Sequence, residues 1–178
     1  MSKYDVFLSH NSTDKAAVEQ LAHRLADEAT LQPFLDKWHL IPGEPWQEAL
    51  EEALNQSRTC AVFLGQGRLG PWENEEMRAA LDERVRNPGF RVIPVLLPNA
   101  QMPERGRLPR FLSRLTWVDF RQGLEDGEAF YRLTCGIKGI VPGAPAGAGQ
   151  PADDVRPYRG LRVFEEKSTP SFSSDALR

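Results

Sequence analysis

The chain has 178 residues, 40% of them apolar, a formal net charge of −3 and a pI near 5.7. That length accommodates one well-buried domain plus a tail and crowds out a second full domain. The weak acidic balance excludes a broad basic surface for counterion-driven nucleic-acid binding. Two cysteines, Cys60 and Cys135, lack CxxC spacing and point to neither a disulfide framework nor a zinc site, which fits a reducing compartment. Met1-Ser2-Lys3-Tyr4-Asp5 meets charge at once, and no segment offers about 18 consecutive apolar residues. We therefore expect a soluble, cytoplasmic chain with no export signal and no membrane contact.

Tyr4–Ser9 reads as a short buried strand, ended by polar His10-Asn11-Ser12, with Ser12 or Thr13 placed to cap a helix. Val18, Leu21, Ala22, Leu25 and Ala29 recur at helical spacing, so the helix reaches about Thr30 with one face on a sheet. Leu31–Leu35 gives a second strand. The following Asp36–Glu44 segment suits neither periodicity and reads as a long loop, and Pro45 pre-sets the first turn of a helix to about Gln56. Trp38, Leu40, Ile41 and Trp46 give this loop more apolar surface than solvent requires, which suits contact with a ligand or a neighbouring subunit. Simple packing over the following helix explains the tryptophans equally well.

Arg58–Leu64 is a third, fully buried strand, leading through Gly65-Gln66-Gly67-Arg68-Leu69-Gly70-Pro71 into a helix from about Trp72 to Arg86, which Asn87-Pro88-Gly89 stops. Trp72 and Glu76, four residues apart, share a face at the start of this helix. Phe90–Leu97 gives a fourth strand, whose Pro94 argues for an edge or a bulge. After a Pro-rich, basic connection, Leu115–Asp119 makes a fifth strand and Glu125–Ile140 a last amphipathic helix. Alternating strands and helices imply right-handed crossovers and a parallel sheet. The expected architecture is α/β, a flavodoxin-like three-layer fold with a five-stranded parallel sheet of order 2-1-3-4-5.

Residues 1–141 make up this domain. Residues 142–154, rich in Pro, Gly and Ala, read as a flexible linker, and residues 155–178 as the truncated start of a following module, disordered or loosely docked. In the expected strand order the chain reverses between the first and third strands, so a crevice opens at their carboxyl ends. One lip carries Ser9, His10 and Asn11, whose side chains can hydrogen-bond a ribose or phosphate. The other carries Leu64, Gly65 and Gln66, where the absent side chain of Gly65 permits close backbone approach. Ser9 lacks a basic partner at nucleophile spacing, which excludes serine hydrolysis. A phospho-acceptor receiver of the same fold fails as well, because Ser9-His10 and Leu64-Gly65 stand where its acidic residues would be needed.

Asp5-Val6-Phe7-Leu8-Ser9-His10-Asn11, Phe34-Leu35-Asp36, Ile41-Pro42-Gly43-Glu44 and the Trp72…Glu76 pair, in that order, resemble the TIR (Toll/interleukin-1 receptor) domain family over residues 1–140. Bacterial members look closest. Arg156-Pro157-Tyr158-Arg159-Gly160-Leu161 resembles the entry of bacterial STAND-type NTPase modules, which implies a longer polypeptide beyond residue 178; no G-x-x-x-x-G-K-[ST] phosphate loop occurs in this chain.

The resemblance implies one of two roles. The first is NAD+ cleavage with nicotinamide release, leaving ADP-ribose or a cyclic isomer, activated by self-association in a bacterial antiviral or cell-suicide system. NAD+ is then the substrate, and neither cofactor nor metal is called for. The second is a non-catalytic scaffold that binds other TIR domains. Glu76 matches the family's catalytic glutamate, with Glu75 its rival, and Trp72 can wall the site. The segment from Asp36 to Trp46, holding Trp38, Ile41, Pro42 and Gly43, matches the family's BB loop and implies a homo-oligomer, with a neighbouring chain completing the NAD+ site. The cationic nicotinamide leaves as a neutral base without a general acid, so one carboxylate suffices to stabilise the oxocarbenium-like ribose. The family often carries serines where this chain has Gly65 and Gly70. A nucleoside-processing transferase of related fold can also use a single Glu, and free nucleosides tested beside NAD+ separate the two.

Overall fold

Along the two central strands, side chains alternate between two separate apolar clusters. Val6, Leu8, Ala61 and Phe63 enter one, whereas Phe7, Cys60, Val62 and Leu64 enter the other. A strand buried on both faces needs layers on both sides, and that accounts for the continuous apolar run of the third strand.

The computed structural model of the chain describes residues 2–65, 85–87, 89–100 and 112–143, with residue 113 described in its backbone alone. These belong to one compact unit, Met1–Gly143. Its elements are β1 (Val6–Ser9), α1 (Lys15–Asp27), β2 (Pro33–Phe34), α2 (Asp36–His39), α3 (Trp46–Asn55), β3 (Thr59–Leu64), β4 (Arg91–Leu96), β5 (Val118–Asp119) and α4 (Gly127–Lys138). All strand pairs are parallel, and the order is β2-β1-β3-β4-β5, as expected. The expected linker and tail, and the helix from Trp72 except its end at Val85–Arg86, lie outside the described residues.

On the first face, α1 buries Val18, Leu21, Ala22 and Leu25 beside Phe130, Leu133 and Ile137 of α4. Each large side chain buried there contributes about 1.5–3 kcal/mol. Arg24 ties the two helices, donating to the Leu124 carbonyl at 2.6 Å while its guanidinium lies 4.0 Å from the centre of the Phe130 ring. Asp126 starts α4 by accepting from the N–H groups of Glu128 and Ala129. On the second face, Leu54 of α3 packs with Phe34, Phe7 and Val62.

Three expectations are corrected. Pro94 lies in β4, between β3 and β5 in the sheet, rather than in an edge strand; because β5 pairs only with Val95 and Leu96, the stretch holding Pro94 has a strand on one side alone. Asp36–His39 is a helical turn, not loop, with Leu40 N–H donating to the Asp36 carbonyl. Pro45 sits just before α3 rather than inside its first turn.

Candidate functional site

The carboxyl ends of β1 and β3 lie side by side, with Ser9 in register with Val62. Ser9 is buried, and the His10 side chain is almost wholly enclosed. His10 Nδ1 lies 3.2 Å from the Leu8 carbonyl; a carbonyl only accepts, so this nitrogen carries the hydrogen. Nε2 is thereby turned toward Asp36 Oδ1, 3.8 Å away at the start of α2. Asp36 also receives Lys15 Nζ at 3.2 Å and the N–H of Lys37 at 2.5 Å. Asn11 is engaged locally. Its side-chain oxygen accepts from Thr13 N–H at 3.3 Å and from Ser12 Oγ at 3.2 Å, capping the 3-10 turn Ser12–Asp14 that leads into α1.

Across the crevice, Leu64 sends its side chain into the core, and its carbonyl accepts from Leu97 N–H at 2.9 Å. It supports the edge. The space beside Gly65 is already filled: a Cβ there would stand 2.0 Å from Oδ1 of Asp14. The bare backbone at Gly65 is thus approached by the chain's own carboxylate. Burial raises the Asp14 carboxyl above its ordinary value, opposed by the positive charge of His10 and by a hydrogen bond from the Gly65 backbone N–H. Among the described residues, Asp14 Oδ2 is enclosed and has no hydrogen-bond partner.

Asp14, Lys15 and Asp36 were not singled out by sequence reasoning. The available signal was a carboxylate five residues past a strand end, opposite a glycine on the neighbouring strand. Together with His10 they gather polar and charged groups near the carboxyl ends of β1 and β3.

The Asp36–Trp46 segment divides in two. Trp38 packs back on α1, its indole N–H donating to Glu19 at 3.2 Å and its ring 4.7 Å from that of His23; Lys37 reinforces the contact with an ion pair to Glu19 at 2.7 Å. His39 likewise stacks on Phe34. Beyond Leu40 the chain turns outward. Pro42 and Gly43 occupy the central positions of a turn closed by Glu44 N–H to the Ile41 carbonyl at 3.1 Å, and φ of +95° at Gly43 is the conformation that a type II turn demands of its third residue. Ile41 is 61% exposed and Trp46 52%. Trp72, Glu75 and Glu76 lie outside the described residues, on the segment that β3 feeds.

Among the described residues no helix is long and apolar enough to cross a membrane, and no group of three or more His, Cys, Asp or Glu side chains is placed to hold a metal ion.

An all-parallel, doubly covered five-stranded sheet whose strand order reverses between β1 and β3 defines a flavodoxin-like α/β domain. A family model described as "TIR domain" matches residues 6–134, and the chain belongs to that family. No curated protein matches it. Its fold is similar to the TIR domain of the Toll-related receptor TRR-2 from Hydra magnipapillata, at 20% identity and a TM-score of 0.56, covering 76% of this chain and 99% of that one. It is also similar to a metazoan TIR-STING receptor from C. gigas, solved in complex with 2',3'-cGAMP, at 18% identity and a TM-score of 0.60. That match covers 79% of this chain but only 41% of the receptor's length.

Proposed function

We propose that this TIR domain is a bacterial, cytoplasmic NAD+ glycohydrolase, releasing nicotinamide and leaving ADP-ribose or a cyclic isomer when copies of it cluster. The observation that carries the reading is that the carboxyl ends of β1 and β3 lie side by side. It brings Ser9 and His10 beside the strand whose continuation holds Trp72 and Glu76. Side chains able to hydrogen-bond hydroxyls stand beside it, and the partly exposed Asp36 offers carboxylate oxygens suited to a ribose.

The departing nicotinamide takes the bonding electron pair and becomes neutral, so the work left to the protein is to stabilise positive charge growing on the ribose. Glu76 supplies the opposing negative charge and Trp72 walls the ring, while Ser9 and His10 hold the sugar or phosphate. The attacking group, water or the adenine of the same molecule, decides between linear and cyclic product. Depletion of NAD+ or formation of a signal nucleotide suits an immune or cell-suicide effector, joined through residues 142–154 to a STAND-type module that clusters it.

A second reading, a scaffold that recruits other TIR domains without turnover, draws on Ile41 and Trp46. Exposed apolar groups on a turn fixed by Pro42 and Gly43 suit a protein contact. Both readings assign this turn to self-association; only the first requires Glu76. Incubating the protein with NAD+, dilute and then artificially clustered, and following nicotinamide release beside Glu76→Gln and Glu75→Gln decides between them. Turnover lost in Glu76→Gln and kept in Glu75→Gln supports the enzyme. Loss in Glu75→Gln alone moves the role to that residue.

A further inference from the structure

Residue 65 is glycine for reasons of space and not of backbone conformation, because its φ lies outside the left-handed region and the three nearest atoms that a Cβ would meet all belong to one side chain. A Cβ at this position would lie 2.0, 2.4 and 2.5 Å from Oδ1, Cγ and Oδ2 of Asp14. Contacts of that length are excluded, so Asp14 and any larger residue at 65 compete for the same volume. Asp14 belongs to the turn that starts α1, whereas Gly65 is the first residue beyond β3. Their contact spans the crevice from one lip to the other.

We propose that Asp14 is a positioning residue for this site: its carboxylate, seated against Gly65 and accepting the Gly65 N–H, holds the carboxyl end of β3 in place. The positioning role rests on the glycohydrolase reading; the seat itself does not. A carboxylate is costly here, since Oδ2 is enclosed without a partner and burial works against its charge. A glycine-plus-carboxylate pair kept despite that cost marks the spot where the backbone has to be held rather than merely filled. The charge of His10 is felt at Asp14, and the imidazole faces Asp36 of α2, which pairs with Lys15 of α1 at 3.2 Å. The end of β3 is thereby linked through Asp14 and His10 to the start of α2.

Three readouts test this. In the intact protein, the Gly65 amide proton resonance is followed against pH; it should titrate with a carboxyl group above the ordinary aspartate range, without any variant being made. Thermal unfolding of Gly65→Ala should fall by about 4 °C or more in the parent, and by less than half as much in an Asp14→Ala background, where the added methyl enters vacated space. In the clustered protein, Asp14→Ala should lower kcat for nicotinamide release ~10-fold with KM nearly unchanged, and Asp14→Asn, which keeps the acceptor and the shape, should restore it to within ~3-fold. Equal penalties for Gly65→Ala in both backgrounds, or a Gly65 resonance indifferent to pH across the carboxyl range, overturn the seat. Parent kinetics in Asp14→Ala overturn the positioning role. A parent inactive in every clustered state sinks the glycohydrolase reading and the role that rests on it, while the seat is still decided by the resonance and the unfolding pair.

Discussion

The β1/β3 edge and the turn at Ile41–Trp46 are built from similar raw material, short stretches mixing apolar and polar residues, yet they end in opposite states. At the edge, Ser9 and Leu64 are buried, the His10 side chain is mostly enclosed, and their neighbours are tied by hydrogen bonds. On the turn, Ile41 and every residue through Glu48 are exposed, and Trp46 keeps half of its surface in solvent. On the proposed reading the edge shapes a small ligand, while the turn offers area for a protein partner. The difference lies in what backs each segment. Two strands and α1 converge behind the first, and Pro42-Gly43 steers the second away from the body.

Substitutions can break this contrast, beginning with the largest effect. Phe120→Ala or Leu21→Ala, both in the core behind the edge, should cost about 2–5 kcal/mol in chemical denaturation. A loss below about 1 kcal/mol would show that the core is looser than its burial implies. Ile41→Asp with Trp46→Asp should change stability by no more than about 0.5 kcal/mol and yet abolish self-association in sedimentation. Unchanged assembly would remove the turn from the interface.

Acidity sharpens the picture further. Because the folded-state value of Asp14 is raised, the folded protein holds its proton more tightly than the unfolded chain. The cost of its charge is absent below the ordinary aspartate value, 3.8, grows as pH rises, and is complete above the raised folded value. The Tm difference between Asp14→Asn and the parent should therefore move in favour of the variant as pH rises from about 3.8 to neutrality. A difference flat across that window contradicts the buried carboxylate. The smallest effect belongs to Trp38→Ala. Its tilted ring contact with His23 and its bond to Glu19 are half-exposed, so stability should fall by about 1 kcal/mol or less, with assembly retained if Ile41 and Trp46 carry the interface.

Strand order and layers were legible in the sequence because periodicity and chain reversal are local signals: Val18, Leu21, Ala22 and Leu25 fall inward as their spacing requires. The crevice followed from the order alone. The part played by Asp14 did not, because it depends on two segments 51 residues apart meeting within van der Waals distance, and no local pattern encodes that meeting. Pro94 misled for a related reason. Its tolerance depends on how short β5 is, a property of another segment. Trp38 and Trp46 looked alike in the sequence, and only the partners on α1 separate them.

The most direct test of the account is nicotinamide release from NAD+ by the artificially clustered protein. The account predicts turnover that falls about 10²–10³-fold in Glu76→Gln and persists in Glu75→Gln. No turnover by the parent in any clustered state would contradict it.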